Sequence, residues 1–395
     1  MEMKQIYDIT NDITQEAIGD SAILKEDLTN ITDYGTAVFN AMSMDHFCKK
    51  LIDRIGKVTF ESETYQGFGL PLYRSAWEYG AAMMTLETSD LDEATENESW
   101  LLTNGQSYDP NVFKGPTGIE ARYYQKRTTF EIPLSLADEQ VKSAFTSAEQ
   151  VNSFFTMIQT KLKNSMTVKK DELAMRVVNS MIGSTLAAEF PSVTGDNYSN
   201  STGVKAVNLL KLYNEQFTQS LTFAQAMFSP EFMRYASYVI KNYLAYLKRM
   251  SKCFNIKGYP QFTSDPSMIL LSQFRNGVET YLESDTFHNQ LVAIGKNNVT
   301  DVPYFQGSGT DFALGSATKI HVEVPDPSDE TLKKEVEASG ILGVMFDWKS
   351  CMINNNNPRV TSNYNGKAEF TNYWYKEDCS YVTRPSRNFI VFFAA

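Results

Sequence analysis

Histidine is almost missing from this chain of 395 residues: His46, His288 and His321 are the only three, and none has a second histidine or a cysteine at ligand spacing. Zinc requires several such donors converging on one point, so the shortage argues against a metal centre. Cysteine is also sparse. Cys48, Cys253, Cys351 and Cys379 lie far apart with no CxxC pair. That scatter favours reduced, buried thiols over a disulfide framework, although Cys351 and Cys379 could meet across a sheet near the C-terminus. No apolar stretch approaches the roughly 20 residues that cross a bilayer. The opening residues are polar and acidic where a secretory signal would run basic and then apolar. A membrane span and a recognisable secretory route are therefore not expected. The GxSxG turn of a hydrolase nucleophile is absent. So is the phosphate loop, since Gly56-Lys57 lacks both the preceding glycine and the following hydroxyl. Basic charge is in deficit, with 36 Lys and Arg against 47 Asp and Glu, a net charge of −11. Tight, sequence-independent nucleic-acid binding needs clustered cations that displace counterions, and the overall balance argues against it.

What the chain does contain is enough to build a large core. It is 42% hydrophobic, 13% aromatic and 21% charged, which suits one large domain or two to three ordinary ones. Residues 1–35 show weak periodicity and read as an extended arm that orders only against neighbours. Val38, Phe39, Met42, Phe47, Leu51, Ile52 and Ile55 then fall at helical spacing, with Gly56 as the stop. Residues 58–79 look rich in strand. Between Leu86 and Tyr124 turn formers accumulate, among them Asn104-Gly105, Asp109-Pro110 and Gly115-Pro116. A loop of that length in a compact fold is usually functional.

The clearest helix follows. Ser147-Ala148-Glu149-Gln150 forms a capping box. Val151, Phe154, Phe155, Ile158, Leu162, Met166, Leu173, Val177, Met181 and Ile182 trace one stripe that loosens near Lys169, and Gly183 reads as its end. Such a helix extends on the order of 50 Å, well beyond the globular mean. Pro191 to Gly203 reads as loop and Val204 to Phe217 as helix. Ser229-Pro230-Glu231 opens another helix reaching about Lys252, and Lys241, Lys248, Arg249 and Lys252 gather toward its C-terminal end, where they complement the dipole. Met268–Leu271 and Ile320–Val324 read as short strands.

Chemistry is hard to find. Gly307-Ser308-Gly309 and Gly67-Phe68-Gly69 lack the strand-and-helix frame of an anion site and read as turns. Glu87, Asp90, Asp92, Glu93, Glu96 and Glu98 form an acidic cluster without the residue order of a calcium loop; a solvated or partner-facing charged face is the plainer reading. Arg122, Lys126 and Arg127 form a basic flank beyond it. Nowhere do a nucleophile, a base and an orienting group occur together, so neither catalysis nor a cofactor is expected.

The last residues are the most telling. Ser339-Gly340-Ile341-Leu342-Gly343-Val344-Met345-Phe346-Asp347 precedes four asparagines, Asn354 to Asn357. Asn363-Tyr364-Asn365, Phe370-Thr371-Asn372-Tyr373-Trp374-Tyr375-Lys376 and Asn388-Phe389-Ile390-Val391-Phe392-Phe393 follow. Asparagine and glycine mark turns, and the β-branched and aromatic runs read as strands. An apolar run so near the end predicts a paired strand in a core. Together with Val302-Pro303-Tyr304-Phe305-Gln306-Gly307-Ser308-Gly309-Thr310, this order of segments resembles the major capsid protein of tailed bacteriophages, small podophages above all. The resemblance spans about Asp33 to Ala395.

It implies an α+β chain with the Hong Kong 97-type capsid fold. On that fold residues 1–57 are an N-terminal arm and first helix, and 58–135 an extension-loop hairpin with its base strands. Residues 136–183 and 340–395 form a peripheral domain of spine helix and sheet, and 184–339 an axial domain. The function implied is a non-catalytic head-shell subunit that associates with itself in hexameric and pentameric capsomers. The implied partners are a scaffolding protein during assembly, a portal protein at one vertex, and packaged double-stranded DNA touched non-specifically, with no membrane. The implied locations are the virion and, for assembly, the bacterial host cytoplasm. Asp90, Asp92, Glu93, Glu96 and Glu98 are the expected intersubunit partners of Arg122, Lys126 and Arg127. Two other readings stay open: an encapsulin-like nanocompartment shell, and an α/β enzyme that binds a carbohydrate or other ligand.

Overall fold

The computed structural model describes residues 7–8, 10–13, 15, 31–41, 47–52, 69–74, 83–88, 104–105, 118–124, 127–144, 148–283, 299–306, 317–327 and 331–395. In chain order the helices are α1 (Ile31–Ala41), α2 (Asp138–Ala144), α3 (Ala148–Glu189), α4 (Leu209–Phe217), α5 (Phe223–Ala226), α6 (Pro230–Leu247) and α7 (Ser272–Glu283). The strands are β1 (Tyr73–Arg74), β2 (Met83–Thr88), β3 (Ile119–Tyr124), β4 (Arg127–Ala137), β5 (Ala206–Asn208), β6 (Ser267–Leu271), β7 (Val299–Val302), β8 (Ile320–Pro325), β9 (Lys333–Ala338), β10 (Ile341–Phe346), β11 (Cys351–Asn365), β12 (Phe370–Thr383) and β13 (Phe389–Phe393).

Helix α3 joins two separate hydrophobic cores. Its first half contributes Val151, Phe154, Ile158, Leu162 and Met166 to one core. There they meet Ile132, Leu134 and Leu136 of β4, Tyr373 and Tyr375 of β12, and Val38, Phe47, Leu51 and Ile52 from the N-terminal region. Its second half, from Leu173 to Ala187, packs into the larger core with β5, β6, β10 and β13. The looser stretch at Lys169 in the apolar stripe is the junction between the two. At 1.5 Å per residue the helix spans roughly 60 Å.

Gly183 does not end this helix, which continues to Glu189. A Cβ at Gly183 would collide with Val322 and press on Val324 of β8, so the glycine serves close packing of the β8–β9 hairpin against α3. The helix ends instead on a local ion pair. Glu189 accepts from Val204 N at 2.6 Å and Lys205 N at 3.3 Å and pairs with Lys205 Nζ at 2.6 Å. An acid at a helix C-terminus opposes the dipole, and the lysine offsets that cost.

The strands form two principal sheets. One has the order β1-β11-β12-β4, and the other β5-β13-β10-β6-β7. In the five-stranded sheet β10 is antiparallel to both β13 and β6, while β5 and β7 run parallel to their neighbours. Strands β6, β10 and β13 are buried throughout, which is why they read as solid apolar runs instead of alternating. The apolar run near the C-terminus is thus a paired core strand, as its composition predicts. Residues 340–395 divide between the two sheets, so a domain boundary drawn at 340 crosses the five-stranded one.

Several local expectations change. The asparagine run is no turn: β11 continues through it, with a bulge between Asn356 and Arg359. Pairing with β12 on one side and with Tyr73–Arg74 on the other at Ile353–Asn354 holds the run extended, overriding its turn preference. Residues 206–208 form strand β5 ahead of α4, and Asn208 caps that helix by accepting from Lys211 N at 3.1 Å. Helix α6 opens where predicted, with Ser229 Oγ accepting from Phe232 N at 3.3 Å, but stops at Leu247. In the N-terminal stretch residues 7–8 and 10–13 are helical. Ile13 is buried, and Tyr34 OH donates to Thr10 O at 3.0 Å, so this part packs on its own chain. Ser147 and Gly307-Ser308-Gly309 lie outside the described residues.

The four cysteines are free. Cys48, Cys351 and Cys379 are buried and Cys253 is exposed. Cys351 faces Thr383 and Cys379 faces Asn355 in the β11–β12 ladder, so the two thiols sit at different registers and do not meet. Burial pushes both thiols up, that of Cys379 to about 12.

Candidate assembly site

Strands β2 and β3 form a hairpin stem that belongs to neither principal sheet. Their register runs from Met83 opposite Tyr124 to Thr88 opposite Ile119, so the stem carries residues 89–118 at its far end. Within that segment Asn104-Gly105 is a turn, with Gly105 at φ +93°. Side chains alternate across a strand pair. Leu86 and Tyr123 share the outward face and are 64% and 65% exposed.

The opposite face is anchored to the body of the same chain. Glu87 is buried and lies 3.4 Å from Arg387 Nε, a charge contact without hydrogen-bond alignment. Arg387 Nη1 in turn donates to Gln261 Oε1 at 2.7 Å. Tyr259 OH donates to Glu120 Oε2. Glu87 is therefore an internal anchor and does not belong to a solvated acidic face. Its partners stand in segments far away in sequence, and nothing local distinguishes it from the acids that follow.

The stem stands beside a cavity of about 420 Å³ lined by Pro71, Thr263, Asp265, Asp347, Trp348 and Arg387 among others. Asp347 accepts from Lys349 N at 2.9 Å and from Thr263 Oγ1 at 3.4 Å, and Asn388 Nδ2 donates to Thr263 Oγ1 at 3.1 Å. These bonds hold a turn and leave no nucleophile beside a base. Among the described residues no group of three His, Cys, Asp or Glu converges as a metal site, and no helix is long and apolar enough to cross a membrane.

Arg122 sits opposite Thr85 in the stem, and Arg127 opposite Ser380 at the start of β4. Asp90, Asp92, Glu93, Glu96, Glu98 and Lys126 lie outside the described residues.

A second charged feature marks the junction of the two cores. Lys170 Nζ lies 3.0 Å from Glu377 Oε1, with the carboxylate side chain only 2% exposed. Burial raises the Glu377 carboxyl above its ordinary range, and Lys170 pulls it back. Next to it Arg359 grips Asp378 through two nitrogens at 2.6 and 3.2 Å, and Thr129 Oγ1 donates to Asp378 Oδ1 at 2.6 Å. These pairs tie α3, β4, β11 and β12 together where neither core reaches.

A helix bridging two cores and a hairpin held out from both sheets are the frame of the described residues. Residues 8–393 match the family model of Phi29-like phage major capsid proteins. The chain belongs to that family. It is accordingly an α+β capsid protein, a structural and non-catalytic component of the phage virion that builds the head shell, and the nanocompartment and ligand-binding enzyme readings fall away.

Among solved structures the chain is similar to one in the capsid of Staphylococcus phage Andhra, with 13% identity and a TM-score of 0.45 over 81% of this chain and 83% of that one. It is also similar to a chain in the structure of the head fiber and inner core protein of bacteriophage P68, with 11% identity and a TM-score of 0.46 over 82% and 83%. A chain of the cyanophage P-SCSP1u capsid is 10% identical, with a TM-score of 0.40 over 83% and 88%. The assignment rests on the family match and not on these distant likenesses. A comparison with curated protein sequences finds no match.

Proposed function

We propose that the chain associates with itself in hexameric and pentameric capsomers, with residues 89–118 of each copy lying over a neighbouring copy. The observation that carries this reading is the stem: it is fixed to its own body through Glu87 and Glu120, yet turns Leu86 and Tyr123 outward. Apolar side chains held in water on a rigid stem favour a partner surface. Individually modest contacts repeated by symmetry then close a shell.

In the same reading residues 136–183 and 340–395 make the peripheral domain and 184–339 the axial domain around the capsomer centre, the two sharing the five-stranded sheet. Residues 1–57 form the N-terminal arm and first helix, and 58–135 the extension loop with its base strands. A scaffolding protein assists assembly in the host cytoplasm, a portal occupies one vertex, and the closed shell contains double-stranded DNA.

Asp90, Asp92, Glu93, Glu96 and Glu98 pair with Arg122, Lys126 and Arg127 of an adjacent copy. Exposed pairs contribute up to about 1 kcal/mol each, so reversing two cations removes about 1–2 kcal/mol per contact. The concentration at which Lys126→Glu/Arg127→Glu protein assembles should rise about tenfold, and more salt should narrow the gap to the parent by weakening the parent. Light scattering across protein and salt concentrations measures this. Equal thresholds at every ionic strength would dismiss the pairing.

A further inference from the structure

Helix α6 and its C-cap present a line of exposed residues at successive turns, Arg234, Tyr238, Lys241, Ala245 and the C-cap Lys248, with Arg249 following just beyond the helix. Residues three, four and seven apart share one helix face, so these cations form a single stripe. Only one acid, Glu231, lies on the helix, in its first turn.

Dipole pairing reaches no further than the last turn. It accounts for Lys248 and Arg249 but not for Lys241, since no basic residue occupies the last turn itself. Some exposed cations elsewhere in this acidic chain sit beside carboxylates, as Lys169 does with Glu172 and Lys333 with Glu323. Others, such as Lys161 and Lys319, stand singly among the described residues; what sets α6 apart is that its cations share one face. Among the described residues Lys241, Lys248 and Arg249 have no carboxylate partner. From Tyr238 onward, beyond Glu231 and Arg234, the stripe carries positive charge alone, with a small residue, Ala245, at its centre and a flat ring beside it, which suits a polyanion that runs along the helix.

We infer that this face of α6 is where the shell touches nucleic acid, through phosphates and without base contacts. The inference rests on the proposal that the shell encloses DNA. A positive face of this size on a chain of net charge −11 gives a weak, salt-sensitive contact, which lets packaged DNA slide past instead of being gripped.

The test uses the full-length chain, a fluorescent 20-base-pair duplex of arbitrary sequence, and fluorescence anisotropy over a range of salt. Parent protein should bind at low salt, and Lys241→Glu/Lys248→Glu/Arg249→Glu protein should bind at least tenfold more weakly. Losing three phosphate contacts should flatten the slope of log affinity against log salt by about 2 to 3, at about 0.9 per phosphate. The milder Lys241→Gln/Lys248→Gln/Arg249→Gln variant should fall between them. Electron micrographs of both variants should show the same particles as the parent, which separates this inference from the shell reading. No binding by the parent, or equal slopes for parent and variants, would overturn it. Loss of particles in both variants would also overturn it, by making the face a contact between copies.

Discussion

Lys170→Met protein should unfold at markedly lower urea than its parent, with a loss of about 3–5 kcal/mol, the usual cost of stranding one member of a buried ion pair. The pair sits at the junction of the two cores, and its carboxylate is almost fully enclosed. Removing the lysine leaves that carboxylate charged in a place water does not reach. Replacing both partners, as in Lys170→Met/Glu377→Leu, removes the stranded charge and should recover most of the loss. A double variant no better than Lys170→Met would show that the pair is not what fails.

The same account predicts a pH dependence of definite sign. Burial holds the Glu377 carboxyl above its ordinary value of 4.5, and Lys170 opposes that rise. A carboxyl raised in the folded state favours folding most when protonated, and its ionised form costs stability as pH climbs through the folded value. Without Lys170 the rise is larger. The deficit of Lys170→Met should therefore be greatest near neutrality and shrink as pH falls toward 4.5, and urea midpoints at a series of pH values check it. A deficit that grows on acidification would reverse the assigned cause.

Among the described glycines, Gly340→Ala is expected to be the most damaging added methyl. Gly340 has φ +75°, and a Cβ there would overlap the backbone carbonyl of Ala394. The left-handed conformation alone costs a non-glycine residue roughly 1–2 kcal/mol. The collision adds more, because neither partner is the end of a flexible side chain. Gly340 N-terminal to β10 accepts the Ala394 amide at 2.8 Å, so relieving the overlap means opening the end of the β10–β13 ladder. Gly258 is the natural control, at φ +69° with nothing near its absent Cβ. Gly258→Ala should lose only the conformational part, about 1 kcal/mol. Gly340→Ala should lose at least 2 kcal/mol more and accumulate as insoluble protein. Equal soluble yields and urea midpoints for the two variants would contradict the packing assigned to this corner.

The elements most readable in advance were those whose local chemistry agrees with their tertiary role. Ser229 and Pro230 start α6 by capping geometry that needs no distant partner. The solid apolar run of β13 demands burial on both faces wherever it lies. The stripe gave the start and most of the length of α3, up to Ile182 of a helix that reaches Glu189, and the loosening at Lys169 marked the gap between cores. What stayed hidden depended on partners far along the chain. Gly183 looks like a helix stop until Val322 is pressed against it. The asparagines at 354–357 look like a turn until strands flank them. Residues 340–395 look like one sheet, yet β10 and β13 join strands from residues 206–302 while β11 and β12 join β4. Within the assembly site, the acids from Glu87 onward look alike in sequence, and only the position of Arg387 sets the first of them apart as an internal anchor.

Cryo-electron microscopy of the assembled protein, at a resolution that traces single subunits, tests the central claim most directly. The account predicts closed shells of five- and six-membered rings, with the segment beyond the β2–β3 stem resting on the adjacent copy. Density showing that segment folded back across its own α3, or preparations holding only dispersed single chains, would contradict it.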